Sequence, residues 1–183
     1  MRRPLELAIE RLWDGAQADP GERVLLRLAG EADALRIEVD APFFDDPPPS
    51  LPPGPCWGLW EHEVVELFVL GGDGSYTELE LGPHGQHLLL RLRARREIVA
   101  RELPLRYELL APRKHPPGSL ASGPRWMGTA WLPRALLPPP PHRINAYSIH
   151  GAGDARRYLA WEPVPGEVPD FHRLERFVAA TLP

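Results

Sequence analysis

The sequence predicts an all-β protein, an antiparallel β-sandwich formed by residues 1–183 as a single domain. Three observations carry this reading. Short apolar runs with a period of two recur along the chain, Gly- and Pro-rich turn signals separate them, and no long stretch has a 3.6-residue period. A length of 183 residues allows one real core, since a chain of ~150 residues already buries about 70% of its surface on folding.

Leu5 to Trp13, Arg23 to Leu28 and Ala34 to Val39 read as the first three strands, punctuated by Trp13-Asp14-Gly15, Pro20-Gly21 and Gly30. In the third, Leu35, Ile37 and Val39 alternate with Arg36, Glu38 and Asp40, the pattern of a half-buried strand. After Phe43-Phe44 and Asp45-Asp46 comes a long proline loop that returns through Cys56, Trp57, Gly58, Leu59 and Trp60. Loops of this length are commonly functional or disordered. Trp57 and Trp60 at its end are expected to rim a site or to pin the loop to the sheet. Prolines number 24 of 183 residues, against an average of about 5%. Their clusters at Pro47 to Pro55, Pro116 to Pro117 and Pro138 to Pro141 lack backbone donors, so they mark connections between strands. Stiffening of those connections is preferred to a polyproline ligand role.

From Leu59 to Arg93 the chain reads as two hairpins in series, with turns at Gly71-Gly72-Asp73-Gly74 and Gly82-Pro83-His84-Gly85. Tyr76, Glu78 and Glu80 point one way and Thr77, Leu79 and Leu81 the other. Matching Leu79 and Leu81 to Val65, Leu67 and Val69 sets Glu66 opposite Glu80 and Phe68 beside Glu78, because a one-residue slip would put acids in the core. The same logic puts Leu88, Leu90 and Leu92 against the core and His87, Leu89, Arg91 and Arg93 on the acidic face. The second turn also suits a type I turn with a Gly bulge, which would shift this strand by one and remove His87 and Arg91 from the group.

The runs Ile98 to Leu103, Arg106 to Leu110, Arg125 to Leu132, Arg143 to His150, Arg157 to Trp161 and Phe177 to Leu182 continue the strand pattern, with one helical turn at Arg134 to Leu137. No phosphate loop, dinucleotide fingerprint, Gly-x-Ser-x-Gly elbow or His-Glu-x-x-His helix occurs. A net charge of -4 with mixed signs supplies no basic stripe for nucleic acid. Nothing approaches the roughly 20 apolar residues of a membrane-spanning helix, and Met1 to Leu7 reach acid too soon for a secretory segment, so a cytoplasmic protein is expected. Cys56 is the single cysteine and reads as a small buried apolar residue. His62, His84, His87, His150 and His172 are the internal candidates for a pH-responsive or metal site. Their convergence is not legible in the sequence, so neither metal nor cofactor is expected.

The segment Trp60-Glu61-His62-Glu63-Val64-Val65-Glu66-Leu67-Phe68 resembles the central strand of family 9 carbohydrate-binding modules and of the related DOMON-like β-sandwiches. Tyr76-x-Glu78-x-Glu80, Asn145-Ala146-Tyr147, Trp161-x-Pro163 and Asp170-Phe171-His172 are similar to their later motifs in the same order. A closer likeness is to a family of uncharacterised intracellular proteins sharing Leu-Trp-x-x-Glu-Val-Val-Glu, Pro-His-Gly-Gln-His-Leu and Pro-Asp-Phe-His. The first resemblance implies a jelly-roll-like sandwich in which aromatics at Trp60 and Phe171 hold a sugar ring and Glu66 bonds its hydroxyls. Phe171 stands where the modules carry tryptophan, and Leu174 and Val178 replace a usual proline and glycine.

The expected function is therefore non-catalytic binding of a small saccharide or other polyhydroxylated ligand. Trp60, Glu66, Glu78, Glu80, His87, Arg91, His150, Phe171 and His172 are the candidate ligand-binding residues. Aromatics offer apolar area of fixed geometry, and carboxylates accept from hydroxyls. One alternative is a glycoside hydrolase using Glu66 and Glu80, whose spacing suits a retaining mechanism. Another is a structural or interaction protein in which the aromatics cover the sheet and Arg91 neutralises Glu66. The haem-binding branch of the DOMON-like domains would need axial Met or His, and Met127 is the only internal methionine.

Overall fold

The computed structural model describes residues 3–114 and 123–183, so the expected connection at Pro116 and Pro117 lies outside the described residues. Its strands begin with β1 (Leu5–Ile9), β2 (Arg11–Leu12), β3 (Val24–Gly30), β4 (Ala34–Pro42) and β5 (Gly54–Pro55). The central run follows as β6 (Val64–Leu70), β7 (Tyr76–Leu81), β8 (Gln86–Ala94), β9 (Glu97–Ala100) and β10 (Arg106–Lys114). The chain closes with β11 (Pro124–Pro133), β12 (His142–His150), β13 (Arg157–Ala160) and β14 (Val178–Ala180). A single 3-10 turn at Arg134–Leu136 takes the place expected for a helical turn.

Two sheets form the sandwich. One has the order β1-β3-β4-β11-β10, the other β2-β13-β12-β6-β7-β8-β5, with β14 added on β12 and β9 on β8. Among the described residues, pairing is antiparallel except where Gly54 and Pro55 lie parallel to Gln86 and His87 at an edge. The expected first strand, Leu5 to Trp13, is divided: β1 pairs with β3, whereas β2 pairs with β13 in the other sheet. The chain turns this corner at Glu10, whose carbonyl accepts the Ala18 amide.

The alternating side chains fill the space between the sheets. Leu26, Leu28, Ile37 and Val39 from one sheet meet Leu67, Val69, Leu79, Leu81 and Ile144 from the other. A second apolar cluster lies on the opposite face of the larger sheet, where Phe68, Leu88, Leu90, Tyr147 and Ile149 are covered by Phe171 and Phe177 of the C-terminal segment. Two apolar layers therefore enclose β6 and β7, and every residue of both strands is buried. The proline loop is sewn to the sheet edge through Gln86 Nε2 to Leu51 O at 2.7 Å and Cys56 N to His87 O at 2.9 Å.

Glu22 ties three elements together. Its carboxylate accepts from Arg157 Nε and Nη2, each at 2.8 Å, contacts His150 Nε2 at 2.9 Å, and closes a capping box on the Asp19 amide. Burial opposes ionisation, but these donors outweigh it and hold the carboxyl below its usual range. Such a group contributes stability above its unfolded pKa of about 4.3, and that contribution is lost as pH falls through the lower folded value. Glu22→Gln is expected to cost ~1–3 kcal/mol at neutral pH in urea unfolding, the worth of a charge-assisted hydrogen bond. The gap to wild type is expected to narrow in acid.

Candidate functional site

The site is built on β6, β7 and β8, and two turns set their register. Gly71 N donates to Ser75 O at 2.8 Å with Gly74 at φ +83°, and Gly82 N donates to Gln86 O at 2.9 Å with Gly85 at φ +90°. Both are three-residue loops closed by a left-handed glycine, the geometry that admits little else. Glu66 consequently faces Glu80, and Phe68 faces Glu78. In the second hairpin the Gly-bulge alternative holds: Glu80 pairs with Leu88, Leu81 with His87 and Thr77 with Arg91. Leu88, Leu90 and Leu92 therefore share the face of the carboxyl groups, and Leu89 enters the inter-sheet core.

This register takes His87 and Arg91 away from the acidic face. The His87 ring lies 6.0 Å from Tyr107, and Arg91 is exposed on the side of Asp73. His150 is also elsewhere: it contacts Glu22 and stacks on Phe44 at a centroid distance of 3.6 Å. His62 contacts Pro47 O and His84 sits edge-on to Phe43 in the second turn.

Trp60, Glu66, Glu78, Phe171 and His172 do converge, around a cleft of about 430 Å³. Glu66, Glu78, Leu90 and Leu92 rise from the sheet, and loops bring Trp57, Arg96, Arg156, Asp170 and His172 to the rim. Trp57 stands edge-to-face on Trp60 at 4.9 Å and is 41% exposed. Phe171 stacks on Tyr147 at 3.8 Å, so one of its faces is already covered. Tyr76 OH accepts from the Arg96 amide at 2.9 Å and lies 2.8 Å from His172 Nδ1. Burial first, then Arg96, pushes His172 down to about 4, which leaves Nδ1 neutral and able to accept the tyrosine proton.

Glu80 lies beneath this surface. It has no exposed area, Glu66 is 3% exposed and Glu78 5%. Both Glu80 oxygens and Glu78 Oε2 are buried without a donor, unless one of the carboxyl groups carries a proton. Burial, then the charges of Glu66 and Glu78, pushes Glu80 far above the usual carboxylate range. A protonated Glu80 donates to Glu78, which burial still raises to about 7. Burial and the Glu78 charge also raise Glu66, against the pull of Arg156. Cys56, itself raised by burial, and the Tyr147 hydroxyl border the same group.

Sequence reasoning did not single out Arg96, Arg156, Tyr158 or Asp170. The Arg95-Arg96 pair at a turn was the available signal for the first, and Arg96 takes φ +60° there. Both arginines bond Asp170, which a motif had marked without a role.

Raised carboxyl pKa values contribute stability below the unfolded pKa and lose it as pH rises through the folded value. Thermal stability is expected to fall as pH rises from about 5 through the raised Glu78 value of about 7. Glu80→Gln keeps a donor for Glu78 without the ionisable proton and is expected to flatten this fall. Melting curves across that range check it, and parallel slopes in the two proteins would refute the assignment of the proton to Glu80.

The two-sheet architecture is shared with a solved structure. A "putative carbohydrate-binding protein" from Bacteroides uniformis superposes with a TM-score of 0.65 over 95% of this chain and 84% of its own, at 18% identity. That likeness concerns the fold. No protein-family model matches the sequence. Curated relatives do. The mouse UPF0462 protein C4orf33 homolog is 40% identical over 182 residues, covering 94% of this chain and 89% of its own. The human UPF0462 protein C4orf33 is 39% identical over 182 residues, covering 94% and 86%. The zebrafish (Danio rerio) homolog is 38% identical over 187 residues, covering 97% and 89%. With this identity over nearly the full length of both partners, the chain belongs to the UPF0462 (C4orf33) family.

Proposed function

We propose that the cleft binds a small polyhydroxylated ligand, a saccharide, without transforming it. The observation that carries this reading is the meeting of indole surface from Trp57 and Trp60 with the carboxyl groups of Glu66 and Glu78 in one cleft. A sugar ring presents C–H faces to aromatics and hydroxyl donors to carboxylates, and one cleft offers both. The likeness of Trp60 to Phe68 to family 9 carbohydrate-binding modules and DOMON-like domains supports the reading, as does the carbohydrate-binding description of the Bacteroides protein. The second wall differs from the module pattern. Phe171 is backed by Tyr147, and Trp57 offers the more exposed ring.

A two-carboxylate hydrolase is less well supported by the same geometry. It requires both acids at the scissile bond, and of the opposed pair only Glu66 lines the cleft while Glu80 is sealed. Glu66 and Glu78 occupy diagonal rather than directly opposed positions.

A panel of mono- and disaccharides titrated against tryptophan fluorescence and by calorimetry tests the proposal. Trp60→Ala is expected to weaken binding roughly 10- to 100-fold, the loss of one aromatic's buried area, while the melting temperature moves little. Absence of binding across the panel would defeat the proposal, and turnover of chromogenic glycosides would replace it with the hydrolase.

A further inference from the structure

The cleft is acidic at one end and apolar at the other, and strand order sets the distance between the two. β6, β7 and β8 lie side by side, and β9 adds to the end of β8 as the outermost strand among the described residues. Glu66 stands on β6 and Glu78 on β7, where Glu78 pairs with Leu90 of β8. Leu92, two residues on and therefore on the same face, pairs with Ile98 of β9. At ~4.8 Å between strands and ~3.4 Å per residue, Ile98 is roughly 12 Å from Glu78 and roughly 20 Å from Glu66. One sugar ring does not span that length.

Nor does one ring fill the volume. The cleft's 430 Å³ falls among the ~300–1,000 Å³ clefts that enclose drug-sized ligands, and a hexose of twelve heavy atoms, each needing less than the roughly 30 Å³ share of a water, leaves part of it over. The remainder is apolar. Ile98 and Trp57 both line the cleft, and each is 41% exposed. Arg101 lies 5.0 Å from the Trp57 ring centroid, which ties that ring to the end of β9 and still leaves it this exposure. An outer strand ordinarily meets water with charge, as Arg93 and Glu97 do beside Ile98. A lone exposed isoleucine would be ordinary, but Ile98 extends the row of Leu90 and Leu92 inside a cleft it shares with a half-exposed indole, the kind of continuous apolar patch that marks a ligand groove.

We propose that the ligand is a glycoside with an apolar aglycone: its sugar meets Glu66, Glu78 and the Trp60 ring, and its aglycone lies along Leu92 and Ile98 with Trp57 beside it. The inference rests on the saccharide reading and names the part of the ligand that reading leaves open. Sugar hydroxyls donate to carboxyl oxygens, whereas an aglycone leaves water for a wall that asks for no hydrogen bond. A second sugar unit is the other occupant of that length. It would set hydroxyls against Leu92 and Ile98, whose side chains hold neither donor nor acceptor, and desolvated hydroxyls without partners are costly.

The rim charges bear on the aglycone's own charge. Arg96 pairs with Asp170, and Arg156 donates to the carbonyl oxygens of Trp60 and Glu61. Both guanidinium groups are thus engaged, and neither calls for an anionic aglycone. An uncharged one is the match.

Calorimetric titration of the full chain with the methyl and phenyl glycosides of glucose, galactose and mannose, in both anomers, tests the inference, with cellobiose, maltose and phenol for comparison. In at least one sugar the phenyl glycoside is expected to bind at least about tenfold tighter than the methyl glycoside, the gain from burying one aromatic ring. Ile98→Asn is expected to bring that ratio to within about threefold, and Ile98→Val to keep it. Ile98→Ala is expected to lie between the two, so the test stands even if melting curves show the asparagine variant to be unstable. If methyl glycosides or disaccharides bind as tightly as the phenyl glycosides, the inference is overturned and the saccharide reading stands. A phenyl preference that survives both Ile98→Asn and Ile98→Ala places the aglycone elsewhere and also overturns it. If phenol alone binds as tightly as its glycosides, or no glycoside binds, both readings fall together.

Discussion

Three carboxyl groups share a sheet face that water barely reaches, and they cannot all be ionised there. An unpaired charge in an apolar interior costs several kcal/mol, so the protein keeps protons on the group instead. The protonated Glu80 is the keystone. By donating to Glu78 it turns a repulsion into a hydrogen bond, and it leaves Glu66 and Glu78 to present their remaining capacity to the cleft. A fold seeking stability alone would place leucines here, as it does at the adjoining Leu88, Leu90 and Leu92. Buried ionisable groups held off their usual pKa in a cleft are a physical mark of a functional site.

The cover over this face is itself held by a polar network that is fully used. Asn145 donates to Tyr147 OH at 2.8 Å and Glu162 O at 2.9 Å, and accepts from the Ala146 and Glu162 amides. Tyr147 then donates to Phe171 O at 3.2 Å. In this way one central strand grips both ends of the segment that forms the cleft's far wall. Tyr76 and His172 tie the same segment to the middle strand, and Asp170 fastens it to the turn after β8 through Arg95 and Arg96. Such networks are worth most where each member is satisfied, and they fix the position of a wall more sharply than apolar contact does. The rim residues are thus set by the sheet register several strands away.

The sandwich and the pairing of Glu66 with Glu80 were legible because a period of two is short-range information. Leu79 and Leu81 need the core, and with Val65, Leu67 and Val69 across from them only one register keeps the glutamates out of it. The alternation of Leu35, Ile37 and Val39 with charged residues was legible for the same reason. Trp60, Glu66, Glu78, Phe171 and His172, expected from strand alternation and from the family likeness, all line one cleft.

The third strand was decided by one glycine. Gly85 adopts φ +90° and adds the residue that rotates His87 and Arg91 to the other face, a choice the sequence left open between two acceptable turns. Equally hidden was the second apolar cluster. Leu88, Leu90 and Leu92 alternate as a core face would, but the cluster they join includes Phe171 and Phe177, about eighty residues later in the chain. His150 likewise follows its strand's alternation to Glu22, 128 residues away in sequence. The sequence by itself determined which residues can share a face of a strand, since adjacent side chains point to opposite sides. Which face meets which segment, and hence that three glutamates lie in the dark beside a cleft, depends on long-range packing that no local period encodes.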